Sequence, residues 1–127
     1  MTENELAKII VDIAFKLHVA LGPGLLESVY LAVFAYELRK CGLKVETEKP
    51  IPVTYETVRL EIGFRADLVV EDKVIIELKS VDTISDVHKK QLLTYLKLTG
   101  IKLGLLINFG QDVLKGNVKR IVNGLDE

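Results

Sequence analysis

Apolar residues recur at helical spacing over residues 3 to 21, at Leu6, Ile9, Ile10, Ile13 and Leu17, with Val11, Phe15 and Val19 widening the stripe. That pattern predicts a helix buried over much of its circumference. Gly22-Pro23-Gly24 ends it, because Pro lacks a backbone donor and Gly admits positive φ. A second helix is expected from about residue 25 to 40, stopping at Gly42. From Lys44 the period changes to that of strands. Val45, Ile51, Val53 and Tyr55 form a first extended segment, which Pro50 and Pro52 mark as an edge or irregular strand. Val58, Leu60, Ile62, Phe64, Ala66, Leu68 and Val70 then alternate with mostly polar residues, predicting one long strand with an apolar face and a polar face that carries Asp67. Glu71-Asp72-Lys73 reads as a turn and Val74 to Ser80 as a further strand. Ser85 is a plausible N-cap for a helix to Thr99, with Gly100 as its stop. Lys102 to Phe109 follows as a short buried strand, expected to lie parallel through a crossover, and Val118 to Val122 is a candidate edge strand.

The 127 residues suit one domain spanning 1–127. With 49% hydrophobic and 28% charged residues, and only 3 Pro and 9 Gly, a disordered or low-complexity chain is excluded. Seventeen basic against 18 acidic side chains leave a net charge of −1, so any contact with a polyanion must use a local patch. The single cysteine, Cys41, permits no internal disulfide and fits a reducing, cytoplasmic setting. No apolar run approaches the roughly 20 residues needed to span a bilayer, and no leader pattern opens the chain, so neither a membrane nor a secreted location is expected.

The chemistry depends on the turn at 71–73. A three-residue loop pairs Val70 with Val74 and sets Asp67 directly opposite Glu77, with Lys79 on the same face. A two-residue loop would pair Asp67 with Leu78 and scatter the three charged groups. Opposed carboxylates repel unless a cation or shared proton lies between them, and a divalent metal is the economical answer. Oxygen-only donors with open positions suit Mg²⁺ or Mn²⁺ bound together with a substrate phosphate, which is phosphodiester chemistry. Lys79 could then hold the attacking water and offset developing negative charge. A solvated Asp-Glu-Lys cluster on an open sheet face fits the same pattern.

On the wheel of the 85–99 helix, His88, Gln91 and Tyr95 cluster within about 60°, between Val87 and Leu98 on one side and Leu92 and Leu96 on the other. Polar groups therefore occupy the middle of its expected inward face, and a polar site is their natural neighbour. A capped or internally bonded His with Tyr at the rim is the alternative. Glu27 falls in the first turn of the second helix, flanked by Gly24, whose small size allows close approach, and by Tyr30. Alone, it also reads as an acidic residue set against a helix dipole.

Taken in order, Gly24-x-x-Glu27-x-x-Tyr30, Gly63-Phe64-Arg65-Ala66-Asp67, Glu77-Leu78-Lys79 and His88-x-x-Gln91-x-x-x-Tyr95 resemble the GxxExxY family, a branch of the PD-(D/E)xK nuclease superfamily. The segment Leu105 to Gly110 also looks like that family's. The resemblance implies a restriction-endonuclease-like α/β core, a central mixed sheet flanked by helices, with two N-terminal helices followed by β-β-β-α-β. It implies Asp67, Glu77, Glu27 and the Leu78 carbonyl as metal ligands for Mg²⁺ or Mn²⁺, and Lys79 as the catalytic lysine. Gln91 and Tyr95 match the Gln-x-x-x-Tyr motif of RecB-like nucleases, and with His88 and Tyr30 they make the expected substrate-contacting set. Arg65 and Ala66 stand where the superfamily name has its proline. The implied activity is metal-dependent hydrolysis of phosphodiester bonds in DNA, with RNA as the other polynucleotide. A module that keeps the fold without catalysis and acts through a partner protein is the competing expectation, and a homodimer is compatible with either.

Overall fold

The computed structural model describes residues 1–126. Helix α1 spans Glu3–Leu21 and opens on a reciprocal cap: the Thr2 hydroxyl accepts from the Glu5 N–H (3.1 Å), and the Glu5 carboxylate accepts from the Thr2 N–H (2.9 Å). Its buried stripe is Leu6, Ile10, Ala14 and Leu17. Helix α2, Glu27–Lys40, buries Tyr30, Phe34, Ala35 and Leu38. Three strands follow, β1 (Val45–Tyr55), β2 (Val58–Val70) and β3 (Val74–Lys79), then α3 (Asp86–Thr99), β4 (Leu103–Asn108) and β5 (Val118–Val122). Among the described residues no helix is long and apolar enough to cross a membrane.

The five strands form one mixed sheet in the order β1-β2-β3-β4-β5. Neighbours are antiparallel except β3 and β4, which are parallel and joined through α3, as the crossover predicts. Helices α1 and α2 cover one face, packing on Leu68, Val70, Ile76, Leu105 and Ile107. Helix α3 covers the other, packing on Val69, Ile75 and Leu106. β3 and β4 are thus buried on both sides, which is why they read as near-continuous apolar runs.

The long strand departs from its alternation pattern in two ways. Phe64 and Ala66 pack on the α3 side, whereas Leu68 and Val70 face α1 and α2, so the strand changes face at Asp67. Opposite lies Glu48, with φ +47°; the pairs Thr47–Leu68 and Lys49–Ala66 flank this position, which itself has no pair. In addition, Val58, Leu60 and Ile62 are exposed rather than buried. The reason is length. A strand of 13 residues reaches about 43 Å, while α3, at 14 residues, is about 21 Å long. The far half of the β1–β2 hairpin therefore overhangs the body, and among the described residues no helix covers it.

Candidate active site

The turn after β2 sets the site. Val70 pairs with Val74 across the three residues 71–73, and the Lys73 N–H closes the turn on the Val70 carbonyl (2.9 Å). Glu71 and Asp72 both take positive φ, 52° and 54°. They are held from outside: the Glu71 carboxylate accepts the Lys44 N–H (2.6 Å), and the Lys44 ammonium pairs with Asp72 (2.8 Å). The β2–β3 ladder runs through Leu68–Ile76 and stops there. At the next position the side chains replace backbone partners. Asp67 Oδ2 accepts the Leu78 N–H (2.8 Å), and Glu77 Oε2 accepts the Asp67 N–H (3.3 Å). Two carboxylates are thereby brought together at the end of a ladder, in the three-residue register.

Their environment is low in water. Glu77 is 8% exposed, and Asp67 is half-buried. Burial pushes the Glu77 carboxyl up to about 9; the hydrogen bond with Asp67 and the Asp67 charge add to this, and Lys79 opposes it more weakly. The metal-free pair therefore holds a proton at neutral pH. Lys79 follows two residues later on the same strand, half-buried. The Tyr95 phenol is also raised, first by burial and then by the charges of Glu77 and Asp67. Its ring stacks on Phe64 with centroids 3.7 Å apart and planes 8° from parallel.

Glu27 is exposed and opens α2, whose N-cap, Leu26, makes no side-chain cap bond. Its carboxylate accepts the Ser80 N–H (3.3 Å), one residue beyond Lys79. Glu27 thus reaches the end of the strand that carries Glu77 and Lys79. Among the described residues, however, no group of three or more His, Cys, Asp or Glu comes together as a ready metal cage. Leu26, Glu27, Ser80, Asp82 and Gly110 line a cleft of about 400 Å³ at this edge. The neighbouring motif residues act differently from expectation. Tyr30 is 0% exposed, and its hydroxyl donates to the Gly22 carbonyl (2.5 Å) and accepts the Leu25 N–H (3.2 Å). It ties down the loop before Glu27 and has no surface to offer a substrate. Gly24 lies outside the helix with φ +84°, and a Cβ there would meet nothing, so backbone conformation rather than close approach requires glycine.

Helix α3 is rotated from the expected wheel. Leu92 and Leu96 are fully buried, Tyr95 is half-buried, Gln91 is exposed, and Val87 and Leu98 are 70% and 46% exposed. The inward face is centred on the two leucines, and the polar stripe runs along its border. His88 is committed to its own helix: its Nδ1 accepts the Ser85 N–H (3.3 Å), while the Ser85 hydroxyl accepts the His88 N–H (3.4 Å). Its ring is a capping group, not one aimed at the carboxylates.

A family model for the PD-(D/E)XK nuclease superfamily matches residues 4–121. The chain belongs to the PD-(D/E)XK nuclease superfamily. A solved structure titled "Crystal structure of SSO0001" superposes with a TM-score of 0.57 at 24% identity, covering 78% of this chain and 50% of that one. This chain thus spans half the length of that protein, and at this identity the likeness is one of fold. The mixed sheet flanked by three helices is a restriction-endonuclease-like architecture. No curated protein matches the sequence.

PD-(D/E)XK nucleases generally use divalent metals, and the donor set here fits such an ion. Asp67 and Glu77 each spend one oxygen on a backbone N–H and share a side-chain hydrogen bond with each other, which a cation between them would replace. The Lys79 carbonyl accepts the Phe109 N–H (2.8 Å) on the β4 side, so the alternating Leu78 carbonyl faces the side where the β2 ladder has ended. Buried like charges with hard oxygen donors favour a doubly charged, oxygen-seeking cation. Two residues of this neighbourhood escape a sequence reading for their roles. Phe64, the stacking partner of Tyr95, looks like any strand apolar residue. Asn108 is fully buried at the end of β4, and the signal that marks it is a lone amide closing an apolar strand.

Proposed function

We propose that the protein is a metal-dependent nuclease of the GxxExxY type that hydrolyses phosphodiester bonds in DNA, with RNA the other candidate polynucleotide. The observation that carries this reading is the meeting of Asp67 and Glu77 beyond the last β2–β3 pair, with Lys79 on the same strand. Asp67, Glu77 and the Leu78 carbonyl would hold Mg²⁺ or Mn²⁺, with Glu27 approaching from α2. A bound ion there supplies Lewis-acid polarisation of a phosphate oxygen and a more acidic water. The Lys79 ammonium orients the attacking water and offsets negative charge as it builds on the phosphate. Tyr95, supported by Phe64, and Gln91 at the helix border would face the polynucleotide. Cys41, exposed and unpaired, suits work in the reducing cytoplasm.

The test is release of 5′-labelled fragments from single-stranded, double-stranded and branched DNA, and from RNA, with Mg²⁺ or Mn²⁺. Asp67→Asn, Glu77→Gln and Lys79→Ala are each expected to lower the rate by about 10²-fold or more. Cleavage that persists in Glu77→Gln or Lys79→Ala would come from another enzyme or another site, and the assignment would fall.

One feature favours a second reading, a binding or assembly module. Tyr55, Val58, Leu60 and Ile62 are exposed together on the overhanging hairpin, a composition closer to a protein contact than to a phosphate track. Calorimetry showing no Mg²⁺ or Mn²⁺ binding, with a second copy or a partner protein bound through this hairpin, would support it.

A further inference from the structure

The end of β4 bears on the geometry of the site without touching the acidic pair. Asn108 is 0% exposed, in a strand whose other side chains are apolar or absent. Its Oδ1 accepts the N–H groups of Val81 (3.0 Å) and Gly110 (2.9 Å), and its Nδ2 donates to the Val81 carbonyl (2.8 Å). The side chain therefore bonds Val81 on both its donor and its acceptor, as a paired strand would. Val81 belongs to no helix or strand and directly follows Ser80, whose N–H holds the Glu27 carboxylate. The approach is close enough to require glycine: a Cβ on Gly110 would sit 2.1 Å from the Val81 oxygen. Between them, Phe109 stacks on Tyr30 at 4.3 Å and accepts the Gly24 N–H (3.3 Å), so the same tripeptide also holds the loop that leads into α2.

We propose that Asn108 is a positioning residue, whose buried amide sets the Ser80–Val81 segment against which Glu27 is held at the end of the strand that carries Glu77 and Lys79. Asn108 acts from behind: it fixes one side of the Glu27–Ser80 contact, while Phe109 and Tyr30 fix the other. A buried amide is costly unless its bonds are made. Here all of its side-chain bonds go to the turn after β3 and to Gly110, which admits that turn. One residue further, the Gln111 side chain donates to the Asp82 carbonyl. The loop thus keeps a second tether when Asn108 is changed, and what is freed is the part nearest the site. The consequence for catalysis rests on the nuclease reading above; the structural coupling does not.

The experiment follows the Ser80 and Val81 backbone amides by ¹⁵N–¹H NMR in metal-free protein. Glu27→Gln is introduced into the native chain, into Asn108→Ala, and into Asn108→Asp, which preserves shape and an acceptor oxygen but, when ionised, sets a carboxylate oxygen in place of the donor against the Val81 carbonyl. The expected result is a Ser80 shift on Glu27→Gln in the native background. That shift should be at least halved in Asn108→Asp and abolished in Asn108→Ala, with Val81 amide exchange faster by about tenfold or more. No Ser80 shift in the native background, or the same shift in native and Asn108→Asp with unchanged Val81 exchange, overturns the inference. If the native protein cleaves DNA, Asn108→Asp should lower kcat with little change in KM, whereas simple loss of folded protein would leave the folded fraction with native constants. If the native protein proves inactive, the nuclease reading falls and the Ser80 coupling still decides the role of Asn108.

Discussion

At the scale of single residues, the site is a substitution of side chains for backbone. Leu78 and Asp67 each have a main-chain N–H that the ladder no longer satisfies, and the carboxylates of Asp67 and Glu77 satisfy them. The cost of that arrangement is a crowded, buried negative pair, which the raised Glu77 carboxyl records. Unfolded, Glu77 ionises near its ordinary 4.5; folded, it keeps its proton to about 9. Between those values the folded state binds a proton that the unfolded state has released, so stability falls as pH rises through this window and levels off above it. In EDTA, the melting temperature should therefore drop from pH 5 to pH 9, and Glu77→Gln should flatten the drop. Adding Mg²⁺ should raise it more at pH 8.5 than at pH 6, because binding expels the proton. A pH-independent melting curve for the native protein would refute this account. Tyr30→Phe keeps the ring against Phe109 and removes both hydroxyl bonds. It should cost about 1 kcal/mol in urea unfolding and slow any cleavage through the loop before Glu27.

At the scale of elements, β2 joins two environments in one strand. Its inner half is sealed between α1–α2 and α3, whereas its outer half overhangs. Leu68→Ala should cost about 2–5 kcal/mol, and Leu60→Ala should fall within about 0.5 kcal/mol of native, despite their matching place in the alternation. Chemical denaturation of the two variants separates the cases, and equal losses would mean the hairpin is covered. The 71–73 turn carries the opposite lesson, since its chemistry is local and its effect distant. Because this turn takes three residues, deleting Asp72 draws Val74 into it, a one-residue slip that opposes Val70 to Ile75 and Asp67 to Leu78 and turns the β3 side chains to the wrong faces. The expected outcome is lost cleavage with a much lower melting temperature.

At the scale of the whole molecule, the charge is almost balanced and part of it is paired. Lys16 lies 3.2 Å from Glu37, Lys49 3.0 Å from Glu46 and Arg59 2.9 Å from Glu61. Such ion pairs take up Lys16, Lys40, Lys44, Lys49, Arg59 and Lys89, and the acidic side chains as a whole offset the remaining cations, so the net field on a polynucleotide is weak. For Glu77→Gln, used to prevent cleavage, DNA affinity should fall with salt with a log–log slope shallower than about −4, corresponding to only a few neutralised phosphates. Fluorescence anisotropy between low and moderate salt measures it, and a steep slope would reveal a basic track that the net charge conceals.

Element types and their order were legible from the chain, because 3.6- and 2-residue periods report directly which faces are apolar, and glycine, proline and capping residues punctuate them. The acidic pair was legible conditionally: Asp67 and Glu77 could be named, but their meeting depended on the length of a loop that Lys44, just before β1, holds through Glu71 and Asp72. Tertiary packing alone decided the rest. The α3 face turned toward Leu92 and Leu96 because two leucines bury more apolar surface than His88 and Gln91, so His88 caps its helix, Gln91 is exposed and Tyr95 is half-buried against Phe64. Tyr30 left the surface because Phe109 offered a stacking face and the Gly22–Leu25 backbone offered partners. β2 outran its helix, and Asn108 found Val81, through contacts between residues far apart in the chain. A one-dimensional period carries no such distances, since it registers whether a position is apolar and not what will lie against it.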